Sequence, residues 1–302
     1  SNKRNFIVHG SILAIAGILV RIIGMLYRIP VVNIIGSEGN GIYGAAFNIY
    51  NIMLVLSSYG LPMAVSKLVS ARFTKKRYKS AAKVLRCSLM VAVCTGGIAA
   101  LLVFFGAAFI ENVIYGGGLP GLAVPLRILA PTIFLVAILG VIRGFFQGQS
   151  TMIPTAVSQI LEQIVNAIVS IAAGYGMMKA FASSPDVAAY GAAGSTLGTA
   201  MGALTAVLFM GFLYAVYTPT FNRLKRKDRH TENQSTGQIC KIIIYTMIPI
   251  ILGQTFYQIS ALIDDVMFSN IMVGRDITKS ISMDLGNFSS SYSLLIGIPQ
   301  GV

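Results

Sequence analysis

The chain has 302 residues, 55% of them hydrophobic and only 11% charged, with a mean hydropathy of +0.74. A soluble domain carries about 25% charged residues, so this composition excludes an ordinary soluble fold and points to an all-α polytopic membrane protein. The formal net charge of +13 would suggest nucleic acid in a soluble protein. Here the basic residues gather in alternate loops, which reads as membrane topology and leaves no nucleic-acid partner.

A helix needs about 20 apolar residues to cross the bilayer. Scanning for such runs predicts helical spans at 8–35, 40–71, 80–111, 121–147, 153–181, 187–218 and 239–272, with an eighth starting near 284. The second is too long for one straight crossing, and Gly60-Leu61-Pro62 is expected to kink or break it, because proline removes a backbone donor and clashes with the preceding turn.

The loops alternate in charge. Lys3 and Arg4 open the chain, Arg72 to Arg86 carries a dense basic run, Arg143 sits at the rim of the fourth turn, and Arg223 to Arg229 is again basic. The intervening turns hold Glu38, then an uncharged Tyr-Gly-Gly-Gly segment after Glu111, then Lys179 with Asp186, then Asp264, Asp265, Asp276 and Asp284 against Arg275 and Lys279. By the positive-inside rule the N-terminus is cytoplasmic. The basic run at 72–86 is also a candidate contact for anionic membrane lipid.

Several polar groups lie within the apolar runs. Arg21 and Arg28 fall seven residues apart in the first span, almost on one face and about 10 Å apart along the axis. A bare guanidinium in hydrocarbon costs several kcal/mol, so it must face protein, water or an anion. Asn48 and Asn51 in the second span are spaced for one face, and interhelical hydrogen bonding explains them as well as substrate contact does. In the fifth, Gln159, Glu162 and Asn166 form a stripe that is either a structural ion-pair site or a cavity wall. Gln254, Gln258 and Asp265 share a face of the seventh span, with Asp264 beside them, and a place at the outer interface explains the two aspartates as well as a cavity does. Arg127 and Arg143 are near enough to helix ends to snorkel. The glycines of Gly191-Ala-Ala-Gly194-Ser-Thr-Leu-Gly198 favour close helix packing.

No catalytic constellation is evident. His9 and His230 lie at or near loops, no phosphate-binding glycine loop is present, and no metal or cofactor is expected. Cys87, Cys94 and Cys240 lack metal-ligand spacing, and Cys87 and Cys94 are too far apart to bridge, so a structural disulfide is not expected.

The run Arg143-Gly-Phe-Phe-Gln-Gly-Gln, followed by Pro154-Thr-Ala-Val-Ser-Gln-Ile-Leu-Glu162-Gln-Ile-Val, resembles a signature of the polysaccharide-transporter branch of the MATE-like flippase superfamily. Gly60-Leu61-Pro62 and the Arg21 to Arg28 segment resemble the same group, in its sporulation and Gram-positive lipid II flippase section. The resemblance implies two six-helix lobes around a central cavity. Residues 1–222 would then form the first lobe, 223–238 a basic linker, and 239–302 the start of the second, with the chain as given stopping inside its eighth helix. Gly297-Ile298-Pro299 echoes Gly60-Leu61-Pro62, as two parallel halves would require.

The implied substrate is a polyprenyl-pyrophosphate-linked sugar, moved by alternating access, with Arg21 matching the first headgroup-binding arginine. Arg28 stands one residue off the second, where this chain has Tyr27, and Leu54 or Val55 and Leu294 replace two others. Glu162 is expected as the counter-charge of Arg21, yielding it when substrate arrives. A drug or cation antiporter of the same fold, favouring carboxylates over arginines, and a non-transporting division or sporulation scaffold are the competing readings.

Overall fold

Two breaks at glycine organise the first part of the chain. The structure, a computed structural model, describes residues 2–229, 234–275 and 281–288, with the backbone alone for 2–10 and 257. Helix α1 (Asn2–Ser57) is interrupted at Gly36, whose φ of 70° and ψ of 179° leave the helical region. A φ of this sign is open to glycine at little steric cost. The two arms fold back on each other there. The hydroxyls of Tyr27 and Tyr43 hydrogen-bond, although a straight helix would hold these residues about 24 Å apart. The expected turn between the first two spans is therefore a single residue. The second break is the predicted one: α1 stops at Ser57, and α2 (Leu61–Thr74) starts afresh with Pro62 in its first turn, where a missing backbone donor costs nothing.

The remaining helices follow the predicted order. They are α3 (Tyr78–Phe109), prolonged by a π turn (Ile110–Ile114), α4 (Ala123–Gly148), α5 (Ile153–Ala180), α6 (Val187–Lys227), α7 (Thr236–Gly274) and α8 (Ile281–Phe288). Among the described residues there is no strand. Six stretches are long and apolar enough to cross a membrane, and the first of them doubles back at Gly36, so the chain is a multi-pass membrane protein. The Gly297-Ile298-Pro299 echo, Leu294, Asp276, Lys279 and His230 lie outside the described residues.

Helix α6 runs well past its predicted end at 218. Lys225, Arg226 and Lys227 form its last turn rather than a loop. Lysine and arginine are good helix formers, and cations at a helix C-terminus complement its dipole. The extension is pinned by rings: Phe221 stacks on Phe73 at 6.1 Å and packs edge-on to Phe145 at 5.3 Å. Helix α7 opens with a capping box, the Gln238 N–H donating to Ser235 Oγ and the Ser235 N–H to Gln238 Oε1. Glu111, at the opposite end of the bundle, accepts from the N–H groups of Gly121 and Ala123 and so caps α4.

Small residues set the helix spacing, as the glycine spacing predicts. A Cβ at Gly198 would stand 2.1 Å from Ser170 Oγ, and one at Gly194 2.4 Å from the Ala173 carbonyl, so α6 lies directly on α5. Two large apolar cores result, beside a small third around Leu139 and Met210. One, around Leu61, Val65, Phe145 and Phe221, sits at the basic end; the other, around Ile42, Tyr115, Leu126 and Ile133, sits at the opposite end. Helix α7 contributes Ile239, Ile243 and Met247 to the first and packs Leu262 and Val266 against the second.

Candidate functional site

The first arm of α1 runs parallel to α5. A Cβ on Gly24 would meet Gln163 Nε2 at 3.1 Å, and Asn166 Nδ2 donates to the Tyr27 hydroxyl at 3.3 Å. This register puts Arg21 level with residue 160, close to the depth of Glu162. The two nevertheless do not pair. Glu162 Oε2 accepts from Arg143 Nη2 at 2.7 Å, and Arg143 Nε donates to Ser158 Oγ at 2.9 Å. The expected Arg21–Glu162 contact is thus corrected, and so is the snorkelling role expected for Arg143. The reason is the hairpin of α4 and α5. Arg143 stands five residues before the end of α4 and Ser158 five after the start of α5, so the antiparallel turn brings them side by side. The arginine then reaches one helical turn deeper to the carboxylate, and Ser158 passes its own proton to the Thr155 carbonyl at 2.8 Å.

Arg21 is left exposed on α1, with no ion-pair partner among the described residues. Arg28 differs. It is half-buried, and its guanidinium lies 5.7 Å from the centre of the Tyr43 ring, so it turns inward across the α1 fold rather than outward to the interface. Asn166 is buried and engaged on both sides of its amide, with Ser170 and Thr199 donating to Oδ1 at 2.9 and 3.5 Å. It belongs to the polar seam joining α1, α5 and α6. Gln159 is half-exposed on the same helix.

The second arm of α1 meets α7 and α8. Asn48 Nδ2 donates to Asp265 Oδ2 at 2.5 Å, while neighbouring Asp264 is exposed, so the acidic pair is split between a bonded and an exposed member. Asn40 Nδ2 donates to the Gly286 carbonyl at 2.9 Å. Around it two glycines interlock: a Cβ on Gly41 would lie 1.9 Å from the Ser282 carbonyl, and one on Gly286 1.7 Å from the Ser37 carbonyl. Asn51, Gln254 and Gln258 are half-buried. Sequence reasoning passed over Asn40, Tyr43 and the Arg143–Ser158–Glu162 set. The last was legible from hairpin counting alone. Cys87 and Cys240, assigned no relation in the sequence, are neighbours across α3 and α7, and Cys87 Sγ donates to the Thr236 carbonyl at 3.9 Å. Among the described residues no group of histidine, cysteine or carboxylate side chains is clustered to hold a metal.

A family model described as "Polysaccharide biosynthesis protein" matches residues 7–302. The chain is 34% identical over 176 residues to the lipid II flippase MurJ of Bacillus subtilis, covering 56% of this chain and 32% of that protein. It is 30% identical over 210 residues to stage V sporulation protein B of the same organism, covering 69% and 39%. The chain therefore spans between about a third and two fifths of the length of these relatives. Its fold matches an inward-facing multidrug resistance MATE family transporter of the MOP superfamily, with a TM-score of 0.60 at 16% identity over 89% of this chain and 58% of that one. That likeness establishes a MATE-type fold.

Proposed function

The chain belongs to the polysaccharide biosynthesis protein family, and on that premise we propose that it serves a flippase moving a polyprenyl-pyrophosphate-linked sugar, a peptidoglycan or spore-cortex precursor of the lipid II kind, across the bacterial cytoplasmic membrane by alternating access. The observation that carries the reading is Arg21. It is a cation at mid-depth of a membrane helix, exposed, with the nearest-level carboxylate already held by Arg143. Such a group needs an anion or water. A pyrophosphate supplies the anion, and guanidinium binds it through paired N–H donors without losing its charge.

On this reading Arg28, two turns along the same face and braced on Tyr43, offers a second contact to the headgroup. Gln159, Asn51 and Gln258 are half-exposed polar groups suited to the sugar. The prenyl tail stays in the bilayer, so only the headgroup crosses. Asn48–Asp265 and the Gly41–Gly286 crossing tie α1 to α7 and α8 at the end away from the basic loops. They are the contacts that part when the headgroup leaves. The positive-inside distribution supports a cytoplasmic N-terminus. Transport, rather than covalent chemistry, is what such a set of groups can perform.

Asp264, a carboxylate exposed on α7, favours a second reading as a cation antiporter. Expression in cells depleted of their own lipid II flippase separates the two. Restored growth with the unchanged protein and none with Arg21→Ala supports the flippase reading. Raised resistance to cationic drugs without rescue supports the other.

A further inference from the structure

The basic end of the bundle carries a groove of about 560 Å³ between the start of α3, the end of α6 and the start of α7. Lys79, Lys83 and Arg86 of α3 and Lys225 of α6 line it, and among the described residues no carboxylate does. A second depression beside it shares Lys79 and Lys225 and adds Arg226. Alternation of basic loops explains why cations occur at this end. It does not explain why four of them, from two helices separated by about 140 residues of chain, converge on one recess.

Two of these cations are held in place. Lys83 Nζ donates to the Gln234 carbonyl, and Lys225 Nζ sits 5.3 Å from the centre of the Phe221 ring. Gln234 is itself fixed, accepting from Arg72 Nη2 at 2.9 Å. Preplaced side chains lose less conformational freedom when an anion arrives. Among the described residues the acidic residue closest in sequence, Asp228, is buried and accepts from the Lys79 backbone N–H at 2.8 Å at the first turn of α3.

The floor is of a different character. Ala82, Cys87 and Met90 form it, and Met90 is 57% exposed. From there the exposed face of α3 continues through Val93, Ile98 and Leu101 into the membrane-spanning part of the helix. The recess thus has a cationic mouth at the membrane surface and an apolar exit along a lipid-facing helix. A free phosphate would use only the mouth. A phosphodiester carrying acyl chains uses both.

We infer that this groove binds the headgroup of an anionic phospholipid of the phosphatidylglycerol type, its acyl chains lying along the Met90–Leu101 face of α3. The site is separate from Arg21 and independent of what the lobe transports. A lipid seated there bridges α3 and α6 and leans on the start of α7.

The test is retention of phosphatidylglycerol by the purified protein in neutral detergent, read by native mass spectrometry against phosphatidylcholine, with inorganic phosphate as a competitor. A cation near an anionic lipid surface strengthens binding roughly fivefold. Lys83→Gln with Lys225→Gln is therefore expected to weaken phosphatidylglycerol binding roughly 25-fold, while Lys75→Gln with Lys76→Gln, two exposed loop cations, leaves it within about twofold. Lys83→Arg with Lys225→Arg keeps charge and reach and is expected to retain the lipid. Equal losses in the groove and loop pairs would reduce the effect to general surface charge and overturn the proposal. So would loss in the arginine pair, equal retention of phosphatidylcholine, or displacement by millimolar phosphate, which would mark a free-anion site.

Discussion

Removing Arg143 from its ion pair gives the sharpest energetic test of the described interior. The 2.7 Å contact joins side chains that are 14% and 27% exposed. Truncating one partner of a buried pair costs about 3–5 kcal/mol, because the other charge is left uncompensated. The partial exposure of Glu162 lets water reach its carboxylate, so Arg143→Ala is expected near the lower bound, about 3 kcal/mol. Glu162→Gln keeps an acceptor for Nη2, and Ser158 still receives Nε, so about 1.5 kcal/mol is expected there. Combining Arg143→Ala with Glu162→Gln in one protein should cost less than the sum of the single changes, with a coupling of about 1–3 kcal/mol. The assay is a double-mutant cycle on reversible unfolding in bicelles, run alongside a second cycle on Arg21 and Glu162. Additivity within about 0.5 kcal/mol for Arg143 and Glu162 would refute the pairing. A coupling in the Arg21 cycle above that margin would restore the contact that the structure replaces.

Other changes have equally defined outcomes. Gly198→Leu places a side chain where Ser170 Oγ already stands 2.1 Å from an ideal Cβ, and it should abolish folded protein in a size-exclusion assay, whereas Gly211→Ala, with nothing within 4 Å, should elute normally. Cys87 and Cys240 should be joined by a short thiol-bridging reagent, detected as a single band after cleavage at a protease site placed between α6 and α7; two separate fragments would place α7 away from α3. Asp265→Leu breaks the bond from Asn48. It should raise labelling of a cysteine placed at Asn51, one turn along the same face, by a polar maleimide, while Asp264→Leu should leave that labelling unchanged.

Much of the architecture was legible in the chain. Apolar runs, alternating loop charge and the glycine spacing of α6 gave the crossings, their order and the α5–α6 seam. Proline at 62 marked the break before α2 for a stated reason, the lost backbone donor. What helical periodicity by itself left open was pairing. Glu162 has two arginines within reach of its depth, and helical periodicity ranks a residue's face without saying which neighbour fills it. Only the antiparallel turn between α4 and α5 selects Arg143. The contact of Arg28 was hidden because the fold at Gly36 brings Tyr43 back beside it, a neighbour no single-helix pattern contains. The basic run at 223–229 looked like a loop by charge, yet it is helical as far as Lys227, where the aromatic packing of Phe221 holds the end of α6. Asn48 and Asp265 belong to different helices whose meeting depends on α7 lying along the lobe.

The proposed transport role rests most heavily on one side chain, and one measurement isolates it. The protein is reconstituted into liposomes with a fluorescent polyprenyl-pyrophosphate sugar, and headgroup transfer is followed by loss of fluorescence to an external quencher. A charged hydrogen-bonding contact is worth about 1.5–3 kcal/mol, or roughly 10- to 150-fold. Arg21→Ala is expected to slow transfer by about that factor, and Arg21→Lys, which keeps the charge but not the paired donors, to fall between the two. Transfer by Arg21→Ala at the rate of the unchanged protein would contradict the assignment of Arg21 as the headgroup contact.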